Sequence, residues 1–427
     1  MNTYQHEIVV VGGGFAGASA AIAAARCGAD VLLIEKYNSL GGAAVYDLVN
    51  PFMGNWTRDP QKPDEIIELS RGLFLEILDR MDKLNGIRYM AGITFNEEIL
   101  KCVLNRMALE SGVHLLYNTV VTDAKVEEGR ICEITVSNVS GNSVIVADCF
   151  IDATGDANLA HLAGCPYRVG RESDGLCQPM TLCFRLGNVA CTEDLEELKR
   201  TMSQANRLYR EWQEAGRIKN PRENILYFRT LHKGVLHFNT TRIVKLDPTD
   251  AYDVTRAELE AREQVFELYE LLRENLEAFR ESTLLSTGLR IGARESRMID
   301  GEYLLTSKDL LSFATFPDSI AVCNYDIDIH SPDGSGTSHY YFPNGKYYQI
   351  PYRTLIARGV SNLLAAGRCI SADHEAQASV RIMPTCSNLG EAAGVAAALS
   401  LDRGGEVRAV DIKELQSRLL ENGARID

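Results

Sequence analysis

The chain has 427 residues, 45% apolar and 24% charged, and its 44 Lys plus Arg against 58 Asp plus Glu leave a formal net charge of −14. This composition is that of a soluble globular protein long enough for two or three domains. The acidic balance, with no Lys/Arg cluster, argues against nucleic acid as a partner. No apolar run reaches the roughly 18 residues of a membrane-spanning helix, which argues against a membrane. The opening MNTYQHEIVVVGGG has neither the basic start nor the cleavage site of a secretory signal, so a cytoplasmic protein is expected. The Cys are 11 in number and contain no C-x-x-C and no Cys/His cluster, so no metal site is expected and the thiols read as reduced packing residues.

The run from Glu7 to Val11 is apolar and β-branched, as in a parallel strand buried on both faces. It leads into Gly12-Gly13-Gly14-Phe15-Ala16-Gly17, a G-x-G-x-x-G, and then into an Ala-rich helix over 18–27 with Gly28 placed as its cap. Gly12 permits the tight turn, Gly14 lets backbone approach a pyrophosphate, and Gly17 lets helix and strand pack closely. The phosphates would rest on the helix N–H groups beside Phe15 and Ala16. A second strand, Val31 to Ile34, ends at Glu35-Lys36, where the Glu35 carboxylate can accept hydrogen bonds from ribose hydroxyls. Gly41-Gly42 follows, where bare backbone can approach another part of an extended cofactor.

Alternating runs from Val120 to Ala147 predict a small β-meander. A further apolar strand near Cys149–Ile151 opens into Ala153-Thr154-Gly155-Asp156, a turn at a strand's carboxyl end, where ligands bind in α/β sheets; Asp156 also reads as the cap of a helix starting at Ala157. In the middle of the chain, 181–186 and 235–241 read as strands of a second sheet, interrupted by helices over 192–215 and 254–279. The second of these helices reads as solvated or oligomer-facing. Near the end, 362–366 is another buried strand closed by Gly367-Arg368, and a small-residue helix over 388–399 follows, with Thr385 or Ser387 as its cap. Its positive end, at Ser387 and Asn388, would face the cofactor.

VVVGGGFAGASAAIAAARCGADVLLIEK, Leu40-Gly41-Gly42, CFIDATGD and NLLAAGR together resemble the FAD-binding segments of glutathione-reductase-type flavoproteins. GLRIGARESRMIDGEYLLTSKDLL, DIDIH, QIPYRTLIARGVSNLLAAGRCISADHEA and RIMPTCSNLGEAAGVAAAL resemble, more narrowly, the FAD-dependent oxidoreductase family. The resemblance implies noncovalent FAD and a redox reaction, without a substrate. The expected fold is α/β: a Rossmann-like FAD-binding domain, with parallel sheet and β-meander, over 1–165 and 345–427, and an inserted α+β substrate or cap domain with a mixed sheet and long helices over 166–344.

Hydride chemistry at a flavin needs groups that bind the substrate and take a proton. His330, His374, Arg381 and Arg297 are the catalytic candidates, because each lies in a segment that returns to the cofactor. Asp373 or Glu375 could raise the pKa of His374. Arg290, Arg294 and Arg297 could clamp a carboxylate or hydroxyls, or stitch the two domains together. Tyr340 to Phe342 and Tyr347-Tyr348 could line a pocket or pack an interface. With one dinucleotide fingerprint and no NAD(P)H domain, the expected function is hydride transfer between a small polar organic substrate and flavin N5. The alternatives are a flavin reductase fed by NAD(P)H or a partner protein, a tRNA-modifying flavoprotein, and a noncatalytic FAD-binding or electron-transfer subunit. The expected partner is a small-molecule substrate, and a homo-oligomer or a redox partner protein stays open.

Overall fold

A computed structural model describes residues 2–62 and 64–427 of the chain. The strand Asn2–Val11 runs parallel to Val31–Ile34 on one side and to Gly141–Asp152 on the other, and His114–Leu116 extends the sheet beyond Val31–Ile34. Ile8 to Val11 and Val31 to Ile34 are buried without alternation, as strands covered on both faces must be. The fold is α/β, as expected.

The meander and the later strand, predicted as separate, share one element. Gly141–Asp152 is a single 12-residue strand. Its first half pairs antiparallel with Arg130–Asn138, which pairs in turn with Val120–Glu127, and its last three residues pair in parallel with Leu363–Ala365. The change of partner falls at Asp148, whose carbonyl accepts from Arg130 and Asn362 (2.7 and 3.1 Å). Asn362 also bridges both backbone groups of Ile131, closing the gap between the two partner strands. No turn is needed at Ala147–Asp148, because side chains satisfy the backbone where the ladder changes.

The Phe15–Arg26 and Met383–Ser400 helices are almost wholly buried and cross closely, since Gly390 and Gly394 lie against the backbone of Ala16 and Ala20. The second helix begins five residues earlier than expected: Ile382 is its cap and Pro384 lies in its first turn. Thr385 and Ser387 therefore fall inside it and do not cap it.

A second core surrounds the antiparallel sheet Tyr227–Arg229, Leu236–Phe238, Phe184–Gly187 and Thr283–Thr287. Leu198, Met202, Ala205 and Tyr209 of the Leu195–Glu214 helix face this core, as do Ala257, Ala261, Val265, Leu268 and Leu272 of Ala251–Asn275. The latter helix, expected to be solvated or oligomer-facing, is thus half core, its apolar face covering the sheet. The second core runs from Met180 to Ile291, whereas Leu305, Leu310, Ile320, Cys323 and Ile327 pack with the first. By packing, the inserted unit is narrower than 166–344. Among the described residues no helix is long and apolar enough to cross a membrane.

Candidate functional site

One cavity of about 840 Å³ runs between the glycine-rich loop and the inserted sheet. Gly12, Gly14, Phe15 and Ala16 line it. Gly12 has φ +101°, and a Cβ there would sit 2.5 Å from the Ala153 carbonyl oxygen. Gly17 faces away from the cavity, where a Cβ would fall on the Gly12 carbonyl oxygen; its task is close packing. The cap residue Gly14 offers the first helical amides no side-chain acceptor, and a Cβ there would meet nothing nearer than the Gly42 Cα at 3.9 Å. Bare helix amides facing open space are what a pyrophosphate requires.

Glu35 is buried at the end of its strand, and its two oxygens accept the amides of Gly13 (2.5 Å) and Tyr37 (2.9 Å). The carboxylate is therefore fixed in place, with a lone pair on each oxygen left over for ribose hydroxyls. Lys36, Gly41, Gly42, Ala153, Gly155, Gly367 and Arg368 complete this part of the lining. These residues fit an adenine dinucleotide.

The cations here are matched by acids. Arg368 donates to Asp156 (2.6 Å) and Ser296 (2.9 Å), and Arg290 donates to Asp47 (2.6 Å). Burial would raise the Asp156 pKa, but Arg368, Arg290 and Lys36 hold it down at about 2. Burial and Arg290 lower the pKa of Lys36. Asp156 does not cap the next helix. Ala157 occupies the cap position at φ +50°, and the first amides are taken by Thr154 Oγ1 and by Asp152, so the Asp156 carboxylate is free to pair with Arg368.

Another part of the cavity gathers Tyr325, Asp328, His330 and Arg381. Ile327–His330 is a short strand paired with Thr337–Tyr340, so Asp328 and His330 project from the same face. Arg242, fully buried, donates to His330 Nδ1 at 3.0 Å. Because arginine only donates, Nδ1 must be the acceptor, and the ring proton belongs on Nε2, which faces Asp328 Oδ2 at 3.4 Å. Burial and the nearby Arg294 push the His330 pKa far below the ordinary histidine range. The ring is neutral, and its one lone pair is occupied. His330 is thus a donor and an orienting group, not the base the sequence suggested.

The acceptor beside it is Asp328. Arg381 lies 3.3 Å from its Oδ2, while Oδ1 has no hydrogen-bond partner among the described residues and faces His339 Nε2 at 3.6 Å. Burial opposes its charge, but His330, Arg381 and Arg294 together hold its pKa well below the usual carboxylate range. Asp328 was not among the expected site residues, although the alternation in DIDIH is a signal that could have put it on the same face as His330. Arg222, Asn239 and Thr181 also line the cavity, and no sequence signal marked them.

Besides Gly17 and Asp156, four predicted residues are not brought to this cavity. His374 lines a shallower cavity of about 410 Å³ and pairs with buried Glu295 at 2.9 Å. Burial opposes protonation, but the Glu295 hydrogen bond outweighs it and raises the His374 pKa. Asp373, one of the proposed perturbers, instead caps the helix by accepting from Ala376 at 2.7 Å. Arg297 donates to Asn158 (3.2 Å) and the Asp156 carbonyl (3.4 Å), a stitch between segments. Ser387 bonds Ser19 at 2.8 Å in the helix crossing, and Asn388 donates to the Arg71 carbonyl at 2.9 Å. Both lie on the packing face, because the helix starts earlier than predicted and its first turn, with Met383 and Cys386, meets the cavity instead. Tyr340 and Tyr341 are exposed and Tyr348 is buried on Ser379, so this aromatic group does not line the cavity. Burial raises the Cys386 pKa to about 12, as suits a packing thiol.

The chain is 29% identical over 146 residues to digeranylgeranylglycerophospholipid reductase of Methanocella arvoryzae, a match covering 31% of this chain and 34% of that protein. A geranylgeranyl bacteriochlorophyll reductase-like protein from Thermoplasma acidophilum is similar in structure (TM-score 0.46, 12% identity, covering 100% of this chain and 85% of that one). So is p-nitrophenol 4-monooxygenase from Pseudomonas putida (TM-score 0.45, 11% identity, 99% and 84%). The family model of FAD dependent oxidoreductases matches residues 7–419. The chain therefore belongs to the FAD dependent oxidoreductase family, and its cofactor is FAD.

Proposed function

We propose that the protein oxidises a small polar substrate bearing a CH–OH or CH–NH group. The observation that carries this reading is that a single cavity joins the glycine loop to the Asp328–His330–Arg381 cluster. FAD held in this cavity would supply the hydride-accepting chemistry. In this reading Asp328 Oδ1 takes the proton of the substrate's hydroxyl or amine. The His330 Nε2–H holds Asp328 in position, and Arg242 fixes the ring that does so. The Ile382–Met383 turn places the positive end of a buried helix at the same cavity, where developing negative charge is favoured. The charged groups gathered at this end of the cavity, Arg222, Arg294, Asp328 and Arg381, support a polar substrate.

Anaerobic mixing with a panel of hydroxy and amino compounds tests this reading through bleaching of the flavin band near ~450 nm. At least one such compound is expected to reduce the flavin. Rapid reduction by NADPH and by none of the panel would replace this reading with that of a reductase.

A further inference from the structure

Around Asp328 the charges do not balance as they do beside the glycine loop. There, Arg290 is matched by Asp47 and Arg368 by Asp156. Here Arg222, Arg294 and Arg381 line the cavity, with Arg242 behind His330. The facing acids are Asp328 and the partly exposed Glu223, 3.4 Å from Arg242. His330 is neutral, and His339 is paired to Asp326 at 2.6 Å.

Arg294 donates to neutral acceptors only: the Pro179 carbonyl (2.8 Å), Thr181 Oγ1 (2.6 Å) and Asn239 Oδ1 (3.4 Å). Arg222 is 6% exposed, yet among the described residues its Nε and Nη1 have no hydrogen-bond partner, and neither does Arg381 Nε. Burial, with Arg381 and Arg222 close by, lowers the Arg294 pKa to about 9. Buried guanidinium groups left short of both acceptors and counter-charge are costly in a fold with this excess of acid elsewhere. An anion entering the cavity supplies both.

We propose that Arg222, Arg294 and Arg381 bind the carboxylate of an anionic substrate next to Asp328. Planar guanidinium forks match a carboxylate in pairs of hydrogen bonds. This rests on the preceding reading that substrate occupies the Asp328–His330 part of the cavity. The bound anion also offsets the arginine field on Asp328, leaving that carboxylate a better proton acceptor.

Isothermal titration of the FAD-loaded protein with oxalate, its neutral analogue oxamide, and inorganic phosphate tests the proposal. Oxalate is expected to bind saturably and oxamide not at all. Arg222→Gln should weaken oxalate at least tenfold, and Glu223→Gln, which removes a competing acid at a partly exposed position, should tighten it, both with unchanged FAD content. Equal binding of oxalate and oxamide, or oxalate affinity unmoved in Glu223→Gln, overturns it, as does preference for phosphate over oxalate. Should Arg222→Gln fail to fold, Glu223→Gln alone decides. Oxalate bound in this pattern by a protein that no compound reduces would sustain the carboxylate site while overturning the oxidation reading; reduction by neutral compounds without oxalate binding would do the reverse.

Discussion

One methyl group at Gly17 would land on the Gly12 carbonyl oxygen and press on Ala153 Cβ. Gly17→Ala is therefore expected to lower stability by about 1–3 kcal/mol and to yield protein with little FAD, read from the melting temperature and the flavin absorbance after purification. Asp328→Asn keeps the shape of the site and removes the acceptor charge. It should slow flavin reduction by substrate ~10²-fold or more with FAD content unchanged, as stopped-flow absorbance will show. A separate titration lies at Glu391, buried between helices, where Oε2 accepts from the first amide of the Leu73–Asp82 helix at 3.0 Å. Burial raises its pKa to about 7, with the Leu73 amide opposing. The folded state thus holds this proton more tightly than the unfolded chain, so Glu391 makes stability fall as pH rises from the ordinary glutamate range to about 7, after which its contribution is flat. Glu391→Gln, which keeps the acceptor for Leu73, should remove that slope and gain roughly 1–3 kcal/mol at pH 8, measured by denaturant unfolding across pH.

At the scale of elements, the crossing of the Phe15–Arg26 and Met383–Ser400 helices decides where both N-termini point. Gly390 and Gly394 allow it, because any side chain there would enter the backbone of Ala16 or Ala20. Gly394→Val should force the helices apart, destabilise the fold by several kcal/mol and displace the glycine loop; a drop in melting temperature with loss of bound FAD would show it. This crossing is also why Ser387 and Asn388 were misplaced by sequence. Their spacing from the preceding strand suits a cap, but the helix continues back through Cys386 to Met383, and a rotation about its axis turns Ser387 toward Ser19. The first strand, its loop and the second strand were legible because each is a contiguous run whose chemistry is local.

Across the whole molecule, two cores meet around one cavity, and Arg290 ties the inserted unit to Asp47 of the first. FAD held in this cavity would meet residues of both units, so it is expected to stabilise both together. At free FAD about 100 times its Kd the gain is about 2.7 kcal/mol. Arg290→Ala should reduce that gain, leaving Asp47 buried without its cation, and calorimetry with and without FAD will measure the difference. The net charge of −14 was visible at once and argued correctly for nothing about this interior, because it averages over a surface that the arginines do not share.

The sequence by itself determined the nucleotide-binding half: Gly12 to Gly17, the strand before them, Glu35 at its distance, and the return at Gly367-Arg368, all short-range patterns set by backbone sterics and strand burial. Only the tertiary structure decided the other part of the cavity. It brought Arg222, Arg294, Asp328 and Arg381 from separate segments to one cavity and sent His374 and Arg297 elsewhere. The reason is physical: a lone Arg or His carries no periodicity, and whether it meets a partner, a ligand or another part of the chain is set by long-range packing.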